Sequence, residues 1–139
     1  MRKVFAATLA LAFLGTACDN SGGATAPTTV APPLTTETFT GTVEPMSFVF
    51  HTFTVAQFGE IDITLTAAGP PPTIFMGLGI GTPTGTTCAL TFQNGTVNVQ
   101  AGTTPHIVGT AAAGPFCVAV YDIGNQMATV TYAVTVAHS

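Results

Sequence analysis

Few residues of this chain carry groups able to do chemistry, and those few are scattered. A serine hydrolase needs Ser, His and an acid in register, and Ser47 with His51 is the near pair. They would share a face of a regular strand, but no Gly-x-Ser-x-Gly turn surrounds Ser47. A zinc centre takes three or four His, Cys or carboxylate ligands in tight geometry. His51, His106 and His138 stand singly, with no ligand pair at short range, and read as surface or edge histidines. Glu60 and Asp62 are two residues apart and would share a strand face; with the histidines they frame one alternative, a small metal-dependent hydrolase. Asp122, ahead of Gly124 and Asn125, is an oxygen donor of the kind calcium takes, but an Asx-type turn explains it as well. Tyr121 and Tyr132 could stack on a sugar ring, although both fall at core-like strand positions. The expectation is a protein that is not an enzyme, with no catalytic residues, no metal site and no cofactor.

Charge narrows the partners. Arg2 and Lys3 are the only basic residues, and all six acids lie beyond Ala17. Met1-Arg2-Lys3, the uncharged run Val4 to Leu14 and the small residues Gly15-Thr16-Ala17 follow the order of an export signal, residues 1–17. The apolar run is short of the roughly 20 residues that span a bilayer. Removal of that segment leaves a net charge of −6 with His neutral. A chain without Lys or Arg cannot neutralise phosphates, so nucleic acid and nucleotides are excluded as partners.

Three cysteines in an exported chain leave one over. Leu14-Gly15-Thr16-Ala17-Cys18 resembles a bacterial lipobox, with Leu14 one place early, and implies lipidation of Cys18 and a membrane partner through that anchor. Simple cleavage after Ala17, giving a secreted or periplasmic protein, is the alternative. Cys88 and Cys117 can then form a disulfide in an oxidising compartment, or remain buried thiols. A bridge there would tie distant hairpins together across the sandwich.

The elements that must position these residues read as strands. Residues 18–36 are Gly/Ser- then Thr/Pro-rich, a tether without periodic apolar positions. Beyond it, residues 37–139 alternate with period two, as in His51 to Val55, Ile61 to Thr66 and Val130 to Val136. Further strands are predicted over Glu37 to Val43, Thr73 to Ile80, Thr87 to Phe92, Thr96 to Gln100, Pro105 to Gly109 and Pro115 to Asp122. Turns are expected at Gln57-Phe58-Gly59, Gly69-Pro70-Pro71-Pro72, Gly81-Thr82-Pro83, Gly102 and Gly124-Asn125. Asn94-Gly95 is the sharpest hairpin signal of the chain. Eight or nine short strands imply one all-β domain, an antiparallel sandwich or barrel, with a core of Phe, Ile, Val and Leu.

His51-Thr52-Phe53-Thr54-Val55, Gly59, Ile61 to Leu65, Gly114 to Asp122 and Val130 to Val136 together resemble the bacterial pre-peptidase C-terminal domain. The resemblance implies a jelly-roll-like β-sandwich appended to secreted peptidases and other envelope proteins. Some members of that family bind calcium or a polymer such as collagen or polysaccharide. Pro72 to Leu78 lacks the acids of the family's middle strand, and Phe116 stands at its Tyr position. The resulting expectation is a non-catalytic cell-envelope lipoprotein that binds a polysaccharide or protein, or serves as a surface or structural module. A peptidase-associated accessory or inhibitor module is the remaining alternative.

Overall fold

A computed structural model describes residues 30–91 and 95–139. The expected export signal, Cys18, Asn94 and most of the tether lie outside the described residues. Among the described residues nine strands run in chain order: β1 Thr35–Val43, β2 Phe48–Val55, β3 Gly59–Gly69, β4 Met76–Thr84, β5 Thr87–Leu90, β6 Thr96–Val99, β7 Ile107–Ala111, β8 Gly114–Tyr121 and β9 Val130–His138. They form the expected antiparallel β-sandwich. One sheet has the order β1-β9-β3-β7; the other is β2-β8-β4-β5, with β6 also on β4.

Period-two alternation explains the sandwich directly, because it gives each strand one apolar face to bury. Ile61, Ile63 and Leu65 of β3 and Val130, Val134 and Val136 of β9 turn inward from the first sheet. Met76 and Leu78 of β4 and Val118 and Val120 of β8 meet them from the second. Full burial of such side chains contributes about 1.5–3 kcal/mol each. Valine dominates this core. Among the described residues Phe53 is the only phenylalanine buried in it, while Phe48, Phe58 and Phe75 are exposed. Their rings fall on outward positions or in connections, where a two-layer core has no room for them.

Three expectations are corrected. Thr82 and Pro83 belong to β4, not to a turn; the chain reverses at Gly85, whose φ of 61° suits a residue without Cβ. The Asn94-Gly95 signal does not join a hairpin, since β5 and β6 both pair with β4 and lie end to end along its edge. Ile80 bridges the gap between them, donating its N–H to the Gly95 carbonyl and accepting from Thr91 N–H. The fold also takes Thr35 and Thr36 from the expected tether, pairing them with His138 and Ala137.

β3 and β9 change register at a bulge between Leu65 and Ala67. On the opposite edge of β3, beyond its last pair with β7 at Ile63, the loop ahead of β7 continues the ladder. Gly102 N–H donates to the Leu65 carbonyl, and Leu65 N–H donates to His106 Nδ1 at 3.1 Å. His106 therefore completes a sheet edge.

Candidate functional site

The chemically able residues are brought into separate structural settings. His51 Nε2 lies 2.7 Å from Tyr132 Oη, and its ring stacks on Phe39 with centroids 4.9 Å apart. Burial pushes the His51 pKa down and the Tyr132 phenol up to about 12. His138 is buried rather than on the surface, with Nε2 3.0 Å from Glu37 Oε1. Ser47 sits in the β1–β2 turn, where its hydroxyl donates to the Glu44 carbonyl, so it has no alignment with His51. Glu60 and Asp62 share the outward face of β3. Among the described residues no three His, Cys, Asp or Glu side chains gather as a metal site.

Asp122 is the most heavily engaged acid among the described residues. Its Oδ1 accepts from the N–H groups of Gly124, Asn125 and Gln126 at 2.8, 3.1 and 3.2 Å, the expected Asx-type turn. Its Oδ2 accepts from Met46 N–H at 2.8 Å, tying the β8–β9 connection to the β1–β2 turn. These backbone donors, Met46 first, hold its carboxyl below the usual range. Met46 itself sits at a φ of 60°.

Cys88 and Cys117 form a disulfide, with Cα atoms 6.0 Å apart. It does not cross the sandwich. Both strands belong to the second sheet, and the bridge passes over β4 on the face turned away from the core. The reason is alternation: Phe116, Val118 and Val120 take the inward positions of β8, leaving Cys117, Ala119 and Tyr121 outward.

The same alternation corrects the reading of Tyr121. Tyr132 is a core residue, but Tyr121 is only half-buried and faces outward. Its ring leans across β4 at Gly77, where a Cβ would collide with it. Leu90 fills the next place along, over Gly79, where a Cβ would sit 3.1 Å from its side chain. Glycine on β4 thus lowers the floor of the sheet, and neighbouring side chains lie down into it.

A groove of about 610 Å³ results, lined by Met46, Phe48, Cys88, Leu90, Tyr121 and Asp122. Met46 is 92% and Phe48 52% exposed. Phe48 stands directly opposite Tyr121 in the β2–β8 ladder and lies against Phe50, with centroids 6.3 Å apart. Ile123, Phe75 and Met127 are exposed at the same end of the sandwich. The chain enters the fold at Thr35, at the opposite end of β1, and nine residues of strand span roughly 30 Å. Period-two reasoning alone could not have found the groove, although Gly77, Gly79 and Gly81 on one strand face were a legible sign of close packing over β4.

No protein-family model matches this chain, and no curated protein matches it.

Proposed function

We propose that this protein is an exported, non-catalytic lipoprotein of the cell envelope, acylated at Cys18, whose β-sandwich is a binding module. The observation that carries this reading is the aromatic-walled groove at the pole remote from Thr35. A chain anchored ahead of Thr35 would hold that groove away from the membrane. The residues able to do chemistry support it too, since His51, His106, His138, Ser47 and Asp122 are each engaged in holding the fold together. The exposed Met46 and Phe48, which line the same groove, form the kind of apolar patch that marks interaction sites. The resemblance to the pre-peptidase C-terminal domain adds to the reading, because the matching segments fall on β2, β3, β8 and β9.

Two measurements test it. Intact-mass analysis of the protein from membranes is expected to give a chain starting at Cys18, acylated, and lighter by the two protons of the Cys88–Cys117 bridge. A photo-crosslinking residue at Phe48 is expected to give a discrete adduct in cells, while one at Thr38, on the outer face of the other sheet, is not. A chain starting at Met1 in the cytosol would overturn the envelope role. Identical labelling from both positions would overturn the binding role.

A further inference from the structure

We propose that the corner of this groove between Phe48, Tyr121 and Asp122 binds an alkylated ammonium group, the chemistry of a choline- or betaine-like ligand. The inference rests on the binding-module reading above and names its ligand class.

Phe48 and Tyr121 start from paired positions on neighbouring strands, but Tyr121 turns towards Gly77 and Phe48 towards Phe50. Both rings nevertheless line the same groove, with Leu90 and Cys88 as their apolar neighbours. A cation over such faces is attracted by the ring quadrupoles, and more strongly where water is thinned out.

Asp122 is held in a way that also favours such a group. Four backbone N–H groups occupy its two oxygens, three on Oδ1 and one on Oδ2. About four lone-pair positions are what an ionised carboxylate has. Asp122 therefore supplies a fixed negative charge at the groove but no free fork for a guanidinium, whose strength lies in bidentate hydrogen bonds. The Ser47 hydroxyl proton is likewise committed to the Glu44 carbonyl. A sugar would meet aromatic faces with these two polar side chains already committed. An alkylated ammonium requires no hydrogen-bond partner, and its weak hydration makes entry into an apolar groove less costly than for a primary ammonium.

Beyond Lys3 the sequence has no Lys or Arg, so none of its own cationic side chains fills the site or repels such a ligand. A Lys- or Arg-like cation beside Asp122 would therefore have to come from outside the chain.

The test uses the full chain with Cys18→Ser, which carries no acyl group, titrated with choline chloride and with its uncharged isostere 3,3-dimethylbutan-1-ol. Choline is expected to shift the amide resonances of Met46, Gly124 and Tyr121 saturably, and the neutral alcohol to bind about tenfold more weakly, the factor that 1.4 kcal/mol represents. Phe48→Leu keeps an apolar, half-exposed side chain and should weaken choline binding by a similar factor; Asp122→Asn should act in the same direction. If Asp122→Asn does not fold, Phe48→Leu decides. Vesicles of phosphatidylcholine provide the second arm: binding to them that Phe48→Leu abolishes places the group on a lipid headgroup, and binding of free choline alone places it on a soluble ligand. Equal binding of alcohol and choline, no saturable shift with choline, or indifference to Phe48→Leu would each overturn the proposal. A discrete in-cell adduct at Phe48 alongside any of these results would leave the binding module standing and remove only its ligand class.

Discussion

His51 and Tyr132 join the two sheets by a hydrogen bond of 2.7 Å at the side where β1 and β2, the first strands of their sheets, lie next to each other. Across the core the layers meet mainly through aliphatic side chains, with Leu65, Met76 and Leu78 among the valines and isoleucines. This polar contact closes a side that would otherwise expose Phe39 and the core behind it.

Tyr132→Phe keeps the ring and removes the hydroxyl, leaving His51 Nε2 without its partner. The expected loss is about 1 kcal/mol in urea unfolding. Tyr132→Ala also empties a buried volume and should cost about 3–5 kcal/mol. Equal losses from the two substitutions would show that the hydrogen bond, not the ring, does the holding.

His51 also makes stability depend on acidity. Its folded pKa is lowered by burial, so the unfolded chain takes up a proton first as the pH falls. The contribution is complete above the unfolded pKa of about 6.5 and is lost as the pH drops from there towards the folded value. Tyr132 acts at the other end: with its folded pKa raised to about 12, its contribution holds below pH 10 and fades as the pH climbs towards 12. Denaturation midpoints of the wild type and His51→Leu between pH 5 and 7 check the first statement; parallel curves would refute it.

Loss of the disulfide by Cys88→Ala with Cys117→Ala removes a constraint spanning 29 residues, worth about 3–4 kcal/mol in the chain-entropy account. β5 pairs with β4 over only four residues. Hydrogen exchange should therefore speed up first over residues 87–90, and core amides of β3 and β9 should follow only with global unfolding. Uniform acceleration throughout the sandwich would contradict this picture.

Gly77→Ala places a methyl group where the Tyr121 ring lies. The ring must move, at a cost of about 1–3 kcal/mol for overpacking, and tyrosine emission should change with it. Unchanged emission and stability would mean that Tyr121 does not rest on β4.

Asp122→Ala removes four backbone contacts at once, while Asp122→Asn keeps one acceptor oxygen, so thermal midpoints should fall in the order wild type, Asn, Ala. Because the folded carboxyl has a lowered pKa, its contribution is present above the unfolded value near 4 and disappears as the pH falls through the folded one. Similar midpoints for all three proteins would separate the two turns energetically.

The strand plan was legible in the sequence because alternation survives wherever one face is buried, and the nine segments from β1 to β9 follow it. Errors came where that signal is silent. Pro83 carries a turn signal in the sequence, but an edge partner as short as β5 accommodates a residue without an N–H. Asn94-Gly95 carries local turn chemistry, yet pairing is decided by what lies across the sheet, and β4 offers its edge to both β5 and β6. The cysteine pairing was within reach of simple counting, whereas its place in one sheet depended on strand order. Tyr121 shows the same limit: alternation says that it and Tyr132 differ by face only once the inward set of β8 is known.

Thr35 lies directly opposite His138, and the ladder between β1 and β9 runs for nine pairs from there. Tension applied between these two residues would open that ladder like a zipper, one rung at a time. Tension between Thr35 and whatever occupies the far pole runs along the strand instead and must slide all nine rungs together. One protein is thus yielding or resistant according to where it is gripped, and a hold at Thr35 with the load at Phe48 selects the resistant direction.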